Sequence, residues 1–271
     1  MRWMLMLGCV LCWGSVSYAQ AQASDANDVG LVSLADALSS VARPTSDDLV
    51  VRALDIAQKY PGFSGIAGHQ VWLLVDRNPS VQRLWVMARM PSGEDDVVTA
   101  IPVSTGKPGR REHYKTALGV FHYDGHIMGY RALGTKNENG IRGIGVRGER
   151  VWDFGWQTTE DWRHPGDIAD IRMAMHATDP TYLAPRLGHW DSEGCIRLPA
   201  KAESVFDRYG VLDADILEQV KQGDRGWGAM LSKRVDALGD WRGNSLVVVD
   251  SSNPQARLSD PDMAASREAG Q

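Results

Sequence analysis

From residue 70 onward the chain breaks into short runs of β-branched and aromatic residues, each closed by a cluster of turn formers, and no other feature limits its fold as much. Residues 71–75, 83–90 and 97–103 are such runs, closed by Asp76-Arg77-Asn78-Pro79, Pro91-Ser92-Gly93 and Thr105-Gly106. More follow at 119–123, 151–156 and 171–175. By periodicity alone a short apolar run fits a strand or a buried helix, but β-branched and aromatic enrichment between Gly, Pro and Asn decides for strand. Serial strands joined by turns predict a mostly β domain, a sandwich or a barrel.

Helical patterns flank this region. Residues 24–68 read as a helical N-terminal segment: 31–41 has apolar residues at helical spacing and ends at Arg43-Pro44. Thr45-x-x-Asp48 then reads as a capping box for a helix through Leu49, Ala53, Leu54, Ile56 and Ala57, closed by Pro61-Gly62. A helical pair packed on the main domain is expected rather than a separate binding module. Downstream, Pro199 opens a helix through Ala202, Val205, Phe206 and Tyr209 that Gly210 ends, and 212–220 reads as a second. Glycines and charges fill 222–243, and a main domain of 69–250 is expected, which Ser245-Leu246-Val247-Val248-Val249 closes as a strand. Residues 251–271 hold almost no large apolar side chains and predict a disordered tail.

With 43% hydrophobic residues, the 271-residue chain has ample apolar content for a core. A net charge of -5 gives no general basic surface, so nucleic acid is not expected as a partner. Residues 1–23 carry Arg2, an apolar run over 3–16 and small residues at Ser17-Tyr18-Ala19 and Ala21-Gln22-Ala23, the layout of a signal peptide. The run is too short to span a bilayer. Export to the periplasm or cell envelope is expected, with Cys9 and Cys12 removed and Cys195 left as the one cysteine. A lone thiol cannot pair within its own chain, in a compartment where cysteines usually do.

The chemistry-bearing stretch runs over 176–198. His176 leaves a strand-like run, and Cys195 sits in the tight loop Ser192-Glu193-Gly194-Cys195-Ile196-Arg197. A thiol with a pKa near ~8.5 needs a base or a positive charge to hold it as the thiolate nucleophile, and such a supported thiolate is expected here. His176 is the candidate base and Arg197 the candidate charge. Gly194 keeps the turn uncrowded, so the amides of Glu193, Gly194 and Cys195 are expected to converge on an oxyanion, with Ser192 fixing the loop's shape.

These residues resemble the L,D-transpeptidase family, also called the YkuD domain, whose signature is a histidine-led HGT-like segment followed by S-H-G-C-[IV]-R. His176-Ala177-Thr178 and Ser192-x-Gly194-Cys195-Ile196-Arg197 carry the likeness. Val103-Ser104-Thr105-Gly106-Lys107 and Thr116-Ala117-Leu118-Gly119 are similar to its STGK and T-P-x-G segments. Glu193, Ala177 and Ala117 stand where the family most often has histidine, glycine and proline. Glu193 is expected to turn its side chain away from Cys195, and Ala177 to orient His176 through its carbonyl.

The resemblance implies a mostly β catalytic domain acting on peptidoglycan stem peptides without a cofactor, and, because a strand follows the first helix sooner in family members, a helical insertion over residues 213–243. Cys195 would form a thioester with a tetrapeptide stem and pass it to an amine acceptor in the wall, which could belong to an envelope protein, while Arg197 would either pair with a substrate carboxylate or brace the loop. A carboxypeptidase or amide hydrolase on the same fold is the alternative, as is a non-catalytic wall-binding protein.

Three other segments have simpler readings. Gly143-Ile144-Gly145-Val146-Arg147-Gly148 is a literal G-x-G-x-x-G, but strand-like residues follow it where a dinucleotide site needs a helix. A hairpin or lid is expected there. His122 and His126 straddle Gly125 among strand residues, so no metal is predicted. The basic loop 107–115 is expected to be a solvated face or to draw anionic stems toward the site.

Overall fold

Strand-forming runs pair into two mixed sheets in a computed structural model that describes residues 28–127, 129–231 and 238–260. The expected signal peptide over 1–23 lies outside the described residues. In chain order the elements are α1 (Asp28–Leu38), α2 (Asp47–Ala57), β1 (Gln70–Asp76), β2 (Arg83–Arg89), β3 (Asp95–Pro102), β4 (Gly119–His122), β5 (Tyr130–Arg131), β6 (Arg150–Glu160), β7 (Ile168–Ala177), β8 (Ile196–Leu198), α3 (Ala200–Tyr209), α4 (Ala214–Lys221), α5 (Arg225–Met230) and β9 (Ser245–Val249).

The first sheet has the order β3-β2-β1-β9-β4 and the second β5-β6-β7-β8. Neighbours are antiparallel except β1 with β9 and β7 with β8. Because side chains alternate along a strand, β1 sends Val71, Leu73 and Val75 one way and Trp72 and Leu74 the other, and all are buried. The first set joins Val86, Ile101, Leu246 and Val248 in the core shared with Trp152, Met173, Met175 and Ile196 of the second sheet. Burial of each such side chain stabilises by about 1.5–3 kcal/mol.

The other face of the first sheet is covered from the N-terminal side. Val50, Ala53, Ile56 and Ala57 of α2 lie on Trp72, Leu74, Trp85, Val247 and Val249. α1 puts Leu34 and Leu38 into the main core. The expected capping box is not formed. Ser46 is the N-cap of α2 and makes no side-chain cap, while Thr45 Oγ1 instead accepts from the indole of Trp85 at 3.2 Å.

After β8 the chain runs through α3, α4 and α5, whose Phe206, Ile216 and Trp227 enter the main core, before β9 inserts between β1 and β4. Residues 232–237 lie outside the described ones, so the expected insertion over 213–243 is described only in part. The tail also departs from expectation at its start. Ser259 N donates to Leu118 O at 2.8 Å, Asp260 N donates to Thr158 Oγ1 at 2.8 Å, and Leu258 packs on the core. Backbone hydrogen bonds hold what few apolar residues could not. Residues 261–271 lie outside the described residues. Among the described residues no helix is long and apolar enough to cross a membrane.

Candidate active site

Strand alternation on β7 sends Ile171, Met173 and Met175 into the core and so turns Arg172, Ala174 and His176 to the opposite face. β8 runs parallel beside it, with His176 level with Arg197 and Met175 level with Ile196. Cys195 immediately precedes β8 and therefore meets β7 next to Ala174. Its thiol donates to Arg172 O at 3.8 Å, and the Ala174 amide is placed to donate to the sulfur.

His176 is buried, with Nδ1 2.5 Å from Ala177 O. A carbonyl only accepts, so Nδ1 carries the proton and Nε2 keeps its lone pair. Burial pushes the imidazole down to about 4, against the pull of that carbonyl, and the Arg197 charge adds to the fall. Burial also pushes the Cys195 thiol above its ordinary range, and the Ala174 amide and Arg197 offset this only in part. The expectation of a thiolate supported by His176 and Arg197 is thus corrected in direction: desolvation outweighs the Arg197 charge and favours the neutral thiol beside a neutral imidazole.

The loop before β8 is tied from within. Ser192 Oγ donates to Cys195 O at 2.5 Å and accepts from Gly194 N at 3.2 Å. Arg197 Nη1 donates to Asp191 O at 2.9 Å and lies 3.4 Å from Asp191 Oδ2, so this side chain braces the loop. Gly194 has φ +146°, and a Cβ there would lie 3.1 Å from Ile171 Cδ1. Its amide is engaged by Ser192, which leaves those of Glu193 and Cys195 as the candidate oxyanion donors. The Glu193 side chain is 68% exposed and approaches His113 Nε2 at 4.0 Å, and its charge still acts on the thiol, raising it as the last of the contributions after burial.

The segment 103–107 forms a cradle under this loop. Ser104 exchanges backbone hydrogen bonds with Arg197, and Ser104 Oγ donates to His189 O at 2.6 Å. Thr105 O accepts from the amides of Asp191 and Ser192, and Gln82 holds the Thr105 hydroxyl. A Cβ on Gly106 would lie 2.9 Å from Gly194 Cα and 2.0 Å from Tyr114 O, so only glycine fits. Gly106 N donates to Thr116 Oγ1 at 2.9 Å, which ties in the second upstream segment.

The G-x-G-x-x-G stretch lies over the same face, and a strand, β6, follows it. Ile144 and Cys195 pack on the cluster of Ala132, Val151 and Ala174. Arg142 N donates to Asp179 Oδ2 at 3.0 Å, and a Cβ on Gly145 would lie 3.2 Å from that of Ala177.

Sequence reasoning missed Asp153, Arg172 and Tyr130, which border Cys195. Asp153 is level with Ala174 across β6 and β7, and its carboxylate accepts from Arg172 Nε at 3.0 Å and from Nη2 at 3.0 Å. The period of β7 could have found Arg172, four residues before His176. Nothing in the sequence announces the register break after Asp153 that brings the carboxylate to it. Of the two histidines weighed as a metal pair, His122 bonds Ser245 Oγ through Nδ1 at 3.1 Å. Among the described residues no three His, Cys, Asp or Glu side chains gather as metal ligands would.

No curated protein matches this sequence. The family model described as YkuD, L,D-transpeptidase catalytic domain, matches residues 70–225. That span begins with β1, takes in the whole second sheet with His176 and Cys195, and stops before β9. Members of this family act on peptidoglycan stem peptides. A match over more than half of the 271 residues means that the chain belongs to the YkuD family of L,D-transpeptidase catalytic domains.

Proposed function

We propose that the protein is a peptidoglycan L,D-transpeptidase that works through a thioester on Cys195. The observation that carries this reading is the placement of a thiol at the head of β8, beside the strand that carries a buried, Nδ1-protonated imidazole, in a YkuD domain. The neutral pair acts by general base catalysis. As a stem enters, Cys195 Sγ gives its proton to His176 Nε2 and attacks the carbonyl carbon at the L-centre of the third residue of a tetrapeptide. The oxyanion is held by the amides of Glu193 and Cys195, fixed by the Ser192 hydrogen bonds and by Arg197 on Asp191. Collapse breaks the bond to the terminal D-residue, whose amine takes the proton back from Nε2. An amine from a second stem or an envelope protein then attacks the thioester, gives its proton to His176, and releases the thiol.

No cofactor enters this scheme. The helices before β1 serve the catalytic domain as part of its scaffold, since α2 covers Trp72 and Leu74. The layout of residues 1–23 supports export to the envelope, where such stems lie. Incubation with defined muropeptides, followed by weighing of the products, tests the reading: cross-linked dimers are expected. Shortened monomers alone would make it a hydrolase, and an unchanged substrate would make it non-catalytic.

A further inference from the structure

Beside Cys195 the outer face of the second sheet presents a cation that neither the loop nor the thiol engages. Arg172 lies on β7 on the face of Ala174 and His176, and its own carbonyl accepts from the thiol at 3.8 Å. Asp153 grips one edge of the guanidinium, through Nε and Nη2 at 3.0 Å each. Among the described residues Nη1 has no hydrogen-bond partner, and the side chain is 38% exposed. Arg197, the other guanidinium near the thiol, is 11% exposed and committed to Asp191. Tyr130 stands two strands over on β5, with Val151 and His176 in the same row across the sheet. Its ring is 40% exposed, and the charges of Asp153, Cys195 and Arg172 all act on its hydroxyl.

We propose that Arg172, held by Asp153 and flanked by Tyr130, binds the terminal carboxylate of the acyl donor. The proposal rests on the acyl-transfer reading above. When a donor's carbonyl carbon meets the thiol, the carboxylate carbon of its last residue is three bonds further on, within roughly 4 Å of that carbon. A carboxylate so close would otherwise face Asp153 and the oxyanion with no countercharge. A guanidinium already fixed along one edge offers its other edge at little further cost in side-chain entropy, in the forked geometry that suits a carboxylate. The subsite therefore selects peptides ending in a free α-carboxylate over those that are amidated or extended.

The test compares two tetrapeptide donors, one ending in the free carboxylate and one in the carboxamide, by the rate at which each adds to the full chain in intact-mass measurements. The parent is expected to favour the carboxylate donor by roughly 10- to 100-fold in kcat/KM, mainly through KM, as one charged hydrogen-bonded contact would give. Arg172→Gln should erase that preference by slowing the carboxylate donor alone, with the carboxamide donor within about twofold of the parent rate, and Arg172→Lys should keep part of it. A parent that treats both donors alike overturns the proposal without any variant. So does an Arg172→Gln variant that slows both donors equally, as a purely structural Arg172–Asp153 pair would. If a folded parent forms no adduct with either donor, the acyl-transfer reading falls, and this proposal falls with it.

Discussion

In the first sheet β1 and β9 bury both faces against apolar side chains, whereas β7 of the second sheet gives one face to the core and the other to Arg172, Ala174 and His176. The first pattern needs a cover on each side, which the second sheet and α2 supply. The second leaves a face where charged and titratable groups must be held by partners, and each is: Arg172 by Asp153, Arg197 by Asp191, His176 by Ala177 O. One sheet thus works as a scaffold and the other as a platform. Substitutions in the two should separate stability from chemistry.

The largest separation is expected at Cys195. Cys195→Ala should lower muropeptide turnover by at least about 1,000-fold, because the covalent step is lost, while thermal unfolding stays near that of the parent. Residual turnover within about tenfold would remove the nucleophile from the scheme. The converse change is Leu73→Ala in the first sheet, at a fully buried position. It should cost about 2–5 kcal/mol in urea unfolding, with the acylation rate per folded molecule unchanged. A loss of chemistry in the folded variant would mean that the two sheets are coupled.

Acid should act on the platform through His176. Its ordinary value of 6.5 falls to about 4 in the folded protein, so between these values the unfolded chain holds a proton that the folded chain does not. Stability is then lost as pH falls from 6.5 toward 4. The same imidazole must be neutral to take the thiol proton, so the acid limb of kcat/KM is expected near pH 4, and a limb at 6.5 would contradict the burial argument. The smallest effect belongs to Glu193. Its side chain lies toward solvent and His113, so Glu193→Gln should move the pH midpoint of iodoacetamide labelling at Cys195 by under about half a unit. In the parent that labelling should rise only above the ordinary thiol range, as burial dictates.

The scaffold was more legible than the platform, for a physical reason. Apolar runs such as 71–75 and the Val-rich stretch of β9 announce themselves because every residue in them is buried. What stayed hidden was pairing across long separations, above all the place of β9 between β1 and β4. On the platform, Cys195, His176 and Gly194 were legible because nucleophile, base and glycine fall in a local motif. The thiolate expectation failed because desolvation is set by neighbours such as Ile144 and Val151, which arrive from a distant loop and strand. Asp153 and Gln82 were hidden in the same way: each acts on residues about 20 positions along the chain. The start of the tail was misread because backbone hydrogen bonds to Leu118 and Thr158 leave no hydrophobic signature.

The most direct measurement is peptide mapping of the adduct formed when the full chain meets a tetrapeptide donor. A thioester is expected on Cys195, at the mass of the donor less its terminal residue, absent from Cys195→Ala and discharged when an amine acceptor is added. An adduct on another residue, or product formed by Cys195→Ala at the parent rate, would contradict the assignment of the second sheet's outer face as the place where the acyl group is held.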